Sequence, residues 1–177
     1  MPAPPFFSFD LFDLNRPLFT LEDIRQVNPQ RYEMEQLTAV VWIDREQHGI
    51  VGYKDVTPHE FWVRGHMPSF PLMPGVIMCE VAAQLAGFYA RKFQLLGEGS
   101  FAGIGGLNDI RLRQPVRPGD RLVMMARITS LRPGRRAECE FQGYVDRKLA
   151  CEGRIIAVPI HTDRMPAQSS AATSSSE

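Results

Sequence analysis

Residues 74–93 read PGVIMCEVAAQLAGFYARKF, and this stretch predicts the central element of the fold. Proline is favoured at the first position of a helix, so Pro74 predicts a helix start. Apolar and small residues then recur at three- and four-residue spacing as far as Ala90, which is the period of an α-helix. The helix should end by Phe93 or Leu96, before the glycines that follow. Because the stretch is unusually apolar, we expect this helix to be central and buried.

Strand patterns flank the helix on both sides. A short amphipathic segment, Leu21 to Val27, and two strands come before it, and a run of strands with Pro-Gly turns comes after it. The strands before the helix span residues 37–43 and 50–56, and those after it span residues 101–116, 121–131, 137–145 and 149–158. Two strands, one long helix and a further run of strands predict an α+β fold, with the helix against one face of a curved antiparallel sheet.

Length and composition exclude several classes of protein. The 177 residues suggest one domain, and 20 basic against 20 acidic residues give no net charge, so we expect no binding to nucleic acid. No apolar run approaches the ~20 residues of a membrane span, so we expect no membrane association. Three cysteines without a framework or zinc spacing predict a reducing, cytoplasmic location and no metal site.

The two ends of the chain differ from its middle. Residues 1–17 are rich in Pro and Phe, and we expect these aromatic side chains to pack on the protein itself or on a partner. Residues 18–160 form the folded domain. Residues 161–177 are dominated by Ser and Ala, and we expect this tail to be disordered because it has too little apolar surface to bury.

Two residues near the helix can exchange protons. His66 precedes the helix in an irregular Pro-rich segment, and Glu80 lies fourteen residues later among apolar helix residues. A carboxylate in such surroundings is expected to be paired or hydrogen-bonded, and Gln84, one turn further on, could hold one of its oxygens. Simpler interpretations remain open, because Glu80 could face solvent and His66 could bond only to the backbone.

The start of the helix is the third chemical feature. Pro74 has no N–H, so Gly75 and Val76 offer the first free donors, and Gly75 allows close approach of a ligand to the backbone. Such a helix start suits a developing oxyanion, although an ordinary Pro-initiated helix explains the same residues.

These segments together resemble a known family. Gly65-His66-Met67-Pro68, the run PLMPGV at 71–76 and Glu80-Val81-Ala82-Ala83-Gln84 are similar to the signature of the 3-hydroxyacyl-acyl-carrier-protein dehydratases of fatty-acid synthesis, the FabZ type. FAGI at 101–104 and RLRQPVRPGD at 111–120 resemble a second motif of that family. The similarity extends from about residue 24 to residue 158. The family's usual Gly-x-Pro is Ser69-Phe70-Pro71 here, and the bulky Phe70 could narrow or reshape the mouth of the site.

The resemblance implies a hot-dog fold for residues 18–160, in which an antiparallel sheet wraps a long central helix. It also implies a homodimer whose sheets join edge to edge, and such families often assemble three dimers. The implied reaction converts (3R)-3-hydroxyacyl thioesters on acyl-carrier protein to trans-2-enoyl thioesters, without a cofactor or a metal. His66 would be the base, Glu80 of the partner subunit the acid, and the Gly75 N–H the donor to the thioester carbonyl, with Val76 and Gln84 in the substrate-binding set.

The acyl chain would need an apolar tunnel beside the helix, for which Met73, Ile77, Phe88 and Phe101 are the candidates. Two alternatives use the same fold without this reaction. One is a non-catalytic subunit that binds acyl thioesters or assists assembly. The other is a thioesterase, for which the Gly-His-Met-Pro run would have no evident use.

Overall fold

A computed structural model describes residues 4–97 and 100–161, with the side chains of residues 100 and 161 left undescribed. The tail predicted to be disordered therefore lies outside the described residues from 162 onward. The helices are α1 (Leu21–Val27) and α2 (Gly75–Lys92), and short 3₁₀ turns span Phe9–Leu11 and Tyr32–Met34. The strands are β1 (Ala39–Asp44), β2 (Gly49–Asp55), β3 (Ser100–Leu112), β4 (Arg121–Arg132), β5 (Arg136–Val145) and β6 (Lys148–His161).

All six strands form one antiparallel sheet in the order β1-β2-β4-β5-β6-β3. The long helix α2 packs on one face of this sheet, which confirms the predicted α+β hot-dog fold. Strand β3 is shorter than predicted. Beyond Leu112 the amide of Arg113 still bonds to the Ala150 carbonyl, but Pro115 has no N–H and the Val116 carbonyl accepts from Met73, so the ladder ends.

The core lies between α2 and the inner face of the sheet. Val81, Ala82, Leu85 and Phe88 are fully buried on the helix. They belong to one cluster with inner-face residues of the strands, namely Val40, Ile50, Leu122, Met124 and Phe141. Burial of each large side chain contributes roughly 1.5–3 kcal/mol to stability. Because rotating α2 about its axis would expose these side chains, their burial fixes which face of the helix packs on the sheet. The residues left partly exposed form a single stripe along the helix: Ile77, Glu80, Ala83, Gly87 and Arg91.

The sheet also carries apolar residues on the face turned away from α2, which we call the outer face. Because side chains alternate along a strand, Val40 and Val41 point to opposite faces, as do Met124 and Met125. The outer face comprises Ala39, Val41, Val51, Tyr53, Val123, Met125 and Tyr144. Residues 4–18, here called the N-terminal strap, cross this face, and Phe7 is buried on it with 4% of its surface exposed.

The two edges of the sheet differ. At β1 the preceding chain adds a bridge, in which Phe19 and Val40 exchange two backbone hydrogen bonds of 3.0 Å each. At the other edge, β3 pairs with β6 on one side only among the described residues. Large apolar side chains of β3 are exposed there, namely Ile104, Leu107 and Leu112.

Candidate active site

His66 is held in a closed loop that precedes α2. Its backbone N–H donates to the Trp62 carbonyl at 2.8 Å, and its own carbonyl accepts from the Leu72 N–H at 2.8 Å. The imidazole Nδ1 lies 2.8 Å from the Leu72 carbonyl oxygen. A carbonyl can only accept, so Nδ1 carries the hydrogen, and in the neutral ring Nε2 has the free lone pair. The imidazole is therefore oriented as a base, and it is exposed in the single chain.

The tip of the same loop is fixed to the rest of the protein. Met67 and Phe70 exchange backbone hydrogen bonds of 3.3 and 3.0 Å, which closes the turn. The Phe70 ring is half exposed and lies 4.7 Å from the guanidinium carbon of Arg117, in the turn before β4. This cation–π contact holds the bulky ring beside the segment that carries His66.

Glu80 lies on the partly exposed stripe of α2 and is held by Gln84. The Gln84 side-chain Nε2 donates to Glu80 Oε1 at 2.8 Å, which confirms the predicted contact one helical turn apart. Gln84 itself is buried. Its Nε2 also donates to the Met34 carbonyl at 2.6 Å, and its Oε1 accepts from the Gln36 N–H at 2.9 Å. Glu80 is therefore oriented by an amide that is anchored to the segment before β1.

The start of α2 leaves two amides free. The Pro74 carbonyl accepts from Ile77 and Met78, and within the described ranges nothing accepts from the N–H of Gly75 or Val76. Leu112, at the end of β3, lies against Gly75 so closely that a Cβ at this position would overlap its side chain. The absence of a side chain at residue 75 therefore lets β3 approach the helix start.

Three of the four residues predicted to line an acyl tunnel belong to the core cluster or pack against it, and the fourth lies at the start of β3. Met73 and Phe88 are buried in the core, where the Phe88 ring packs 5.3 Å from that of Phe19, and Ile77 packs against the edge of the same core. Phe101 lies at the start of β3, 4.3 Å below the Arg91 guanidinium. The tunnel remains a prediction.

Three positions in the site were not expected from the sequence. Gln36 and Leu112 reach the site across long sequence separations, and Arg117, in the turn before β4, contacts Phe70 in the loop before α2. Leu112 and Arg117 lie in the motif at 111–120, but nothing in the sequence indicated which residue each would contact. The neighbouring Cys79 is buried, and burial raises the pKa of its thiol.

The described residues hold no cluster of three or more His, Cys, Asp or Glu side chains that could bind a metal ion. None of the described helices combines the length and the apolar character that a bilayer crossing needs. Cys79, Cys139 and Cys151 are all buried, and no disulfide joins them in the described part of the chain.

A long helix packed on a six-stranded antiparallel sheet, with a loop that carries His66 leading into the helix, defines a protein of the hot-dog fold. The family follows from comparison with known proteins. A model of the FabA-like domain matches residues 28–155, and the chain belongs to this family. It is 30% identical over 139 residues to the 3-hydroxyacyl-[acyl-carrier-protein] dehydratase FabZ of Clostridioides difficile (strain 630), covering 78% of this chain and 96% of that protein.

Solved structures show the same fold at lower identity. The dehydratase heterocomplex ApeI:P of Xenorhabdus doucetiae matches with a TM-score of 0.67 and 14% identity, over 79% of this chain and 92% of that one. The thioesterase HI1161 of Haemophilus influenzae matches with a TM-score of 0.59 and 19% identity, over 81% and 92% of the two chains. The predicted resemblance to FabZ-type hot-dog proteins is thus confirmed. The N-terminal strap lies outside the matched domain.

Proposed function

We propose that this protein dehydrates (3R)-3-hydroxyacyl thioesters, carried on acyl-carrier protein, to trans-2-enoyl thioesters in fatty-acid or related lipid biosynthesis. Membership of the FabA-like family and similarity to a FabZ dehydratase support the reaction class. The structural observation that carries the proposal is the 2.8 Å contact between His66 Nδ1 and the Leu72 carbonyl, because it leaves Nε2 free to accept a proton.

The proposed chemistry needs only groups of this chain. Nε2 of His66 takes the proton from C2 of the substrate, and negative charge develops on the thioester oxygen. The free Gly75 and Val76 amides, at the positive end of the α2 dipole, stabilise that charge. The bond between C3 and its hydroxyl then breaks, and a protonated Glu80 gives its proton so that water leaves. A proton passes from the imidazolium to the carboxylate before the next turnover.

In this proposal Gln84 positions Glu80. Both of its amide hydrogens and its oxygen are used within the chain, by Glu80, by the Met34 carbonyl and by the Gln36 N–H. Its contribution to the substrate-binding set is therefore indirect, through the orientation of the acid. Ile77 and Ala83 flank Glu80 on the partly exposed stripe and offer an apolar path for the first carbons of the acyl chain.

We infer that the working unit is a homodimer with two shared sites. His66 is exposed, and large apolar side chains near it and along the free β3 edge are also exposed: Met67, Val76, Ile104, Leu107 and Leu112. An unpaired apolar edge of this kind is suited to pairing with a second copy. Pairing of two β3 edges would cover this surface and face His66 with Glu80 of the partner subunit. A trimer of dimers and a cytoplasmic location stay predictions.

The test is an assay with purified protein and a 3-hydroxyacyl thioester on acyl-carrier protein, following enoyl formation and thiol release in parallel. We expect His66→Ala and Glu80→Gln each to lower kcat by roughly 10²–10⁴. The matched controls are His59→Ala and Glu46→Gln, two exposed residues outside the site, which should keep full activity. Thiol release without enoyl formation would indicate a thioesterase, and tight binding without turnover a non-catalytic subunit.

The shared site has its own test. Each single variant carries one intact half of every site, so a mixed dimer of His66→Ala and Glu80→Gln chains contains one complete site and one doubly defective site. When equal amounts of the two variants exchange subunits freely, about half of the dimers are mixed and each of these has one complete site of two. We therefore expect activity to recover toward about a quarter of the wild-type value. If subunits are shown to exchange and no activity returns, the shared site is rejected. The dehydratase proposal would then be decided by the enoyl-formation assay alone.

A further inference from the structure

The outer face of the sheet is apolar enough to be an interface. Val51 and Met125 are fully buried there, and Val41, Tyr53, Val123 and Tyr144 are each less than 9% exposed. None of these side chains contributes to the core around α2, which is a separate cluster. A contiguous apolar surface made of these side chains would mark an interaction site if it were exposed to solvent. Its cover in this protein is the N-terminal strap.

Phe7 is the centre of the strap. Its ring packs 4.6 Å from the ring of Trp42 on β1. At Gly49, the first residue of β2, an added Cβ would lie 2.5 Å from the tip of the Phe7 ring, so the missing side chain makes room for it. Among the described residues of the strap, Phe7 is the one whose side chain is buried, so it anchors the strap on the outer face.

A buried amide fixes the beginning of the strap. Gln142, on β5, is 1% exposed, and its Oε1 accepts from the Phe6 N–H and from the Tyr144 hydroxyl, both at 2.9 Å. Its Nε2 donates to the Pro4 carbonyl at 3.1 Å. The side-chain amide of Gln142 therefore bonds to the strap backbone through both its oxygen and its nitrogen. Because a buried amide without hydrogen-bond partners is costly, Gln142 favours the strap in this position.

Arginines at the rim complete the attachment. Arg127 lies over the Phe6 ring at 4.1 Å, Arg147 lies over the Phe9 ring at 5.3 Å, and Arg121 donates to the Leu14 carbonyl at 3.2 Å. These contacts stand at the exposed margin, where each adds modestly to stability. The strap does not fill the face, since a cavity of about 540 Å³ remains beside it, lined by Phe9, Phe12, Leu14, Val123 and others.

We propose that the outer face is a self-association surface, and that the N-terminal strap occupies it within the chain and so excludes a second copy. Two sheets stack face to face at about 10 Å when both faces are apolar, and the strap occupies the layer that the second sheet would fill. A two-fold contact places the same patch on both sides, so each apolar face would meet its equal.

Charge at the rim favours a second copy of this chain over a charged partner. Two of the three rim arginines are paired with acids, Arg121 with Asp55 at 2.6 Å and Arg127 with Glu140 at 2.8 Å. A two-fold related copy therefore meets both signs, and the chain as a whole carries no net charge that would repel it. A strongly basic or strongly acidic partner would find no large excess of opposite charge on this face.

The experiment compares Phe7→Asp with Leu11→Asp in the full-length chain by light scattering after size exclusion, over a wide concentration range. Phe7→Asp places a charge in the Trp42 contact and releases the strap. Leu11 is 54% exposed on the same strap and serves as the matched control. We expect wild type and Leu11→Asp to keep one mass, and Phe7→Asp to approach twice that mass as its concentration rises. A Phe7→Asp protein that is folded and unchanged in mass overturns the proposal.

Two further measurements keep the proposal testable. Adding Val123→Glu to Phe7→Asp puts a charge on the uncovered face and should restore the wild-type mass, whereas association that survives this change must use another surface and refutes the proposal. If Phe7→Asp does not fold, Phe7→Ala in the full-length chain replaces it. A synthetic peptide of residues 1–16 should then reverse its extra association, and failure of the peptide to do so also refutes the proposal. None of these outcomes depends on dehydratase activity.

Discussion

Replacing Gln84 by Met should weaken the fold and the active site together. Methionine is similar in length and apolar, so it fills the buried space but bonds to none of the three partners of the amide. The buried Gln36 N–H loses its acceptor, which costs about 1–3 kcal/mol. The Met34 carbonyl belongs to an exposed residue, so water can replace its donor and this loss is below about 1 kcal/mol. The free energy of unfolding should therefore fall by roughly 1–4 kcal/mol, or roughly 2–16 °C in Tm for a chain of this size.

The same substitution should lower kcat more than it changes KM. Glu80 loses the 2.8 Å hydrogen bond that orients it, and misplacement of a catalytic group by about 1 Å can cost up to about 10²-fold. Chemical denaturation measures the stability, and steady-state kinetics with a 3-hydroxyacyl thioester measure the activity. Gln26→Met, on the exposed side of α1, is the control and should change neither. A Gln84→Met protein with reduced stability and an unchanged kcat would show that Gln84 supports the fold without positioning Glu80.

Three other predictions address the helix start, a buried ion pair and a buried thiol. Gly75→Ala should lower kcat/KM by roughly tenfold, because its Cβ would overlap the Leu112 side chain and so disturb the packing of β3 against the helix start that carries the free amides. Leu112→Ala should restore part of the activity, and kinetics of the double variant decide this. Lys54→Met should lower the free energy of unfolding by about 3–5 kcal/mol, because it removes the ammonium that lies 2.9 Å from the Glu60 carboxylate. The double variant Lys54→Met with Glu60→Leu should recover most of that loss. Denaturant unfolding measures both, and a single variant as stable as wild type would contradict the prediction. Burial raises the pKa of Cys139 to about 12 from an ordinary value of 9.0, so in between this thiol ionises only in the unfolded chain, and stability is lost as the pH rises above 9.0. Burial also raises the pKa of Cys151 to about 12, so the slope of stability against pH should be smaller in Cys139→Ala by about 1.4 kcal/mol per pH unit without disappearing; a slope equal to that of wild type would refute the assignment.

The fold was predictable because its signals are local. The 3.6-residue period and the proline at its start located α2, and the Pro-Gly turns separated the strands. Part of the site was also predictable from neighbouring residues, since Gly75 follows Pro74 at the helix start and Gln84 lies one helical turn after Glu80. A helix places residues four apart on one face, so the Glu80–Gln84 contact followed from spacing alone.

The remaining contacts depend on the tertiary structure. The bond between the Gln36 amide and Gln84 joins residues 48 apart, and no periodicity marks a backbone N–H as a future partner. The imidazole of His66 is oriented by the carbonyl of Leu72 within an irregular segment, where neither helix nor strand geometry constrains the chain. Packing of the Pro/Phe-rich segment was expected, but its place on the outer face was not, because that face exists only after β1, β2, β4 and β5 have assembled.

The bridge between Phe19 and Val40 limits how the sheet can grow. A strand edge with free N–H and C=O groups recruits another strand, and a sheet open at both edges can add copies without end and become a fibre. Here the backbone of Phe19 bonds to Val40 at the β1 edge, and β3 is the other edge strand of the sheet. In the proposed dimer two β3 borders pair with each other, so addition of further copies by this route would stop after a single step.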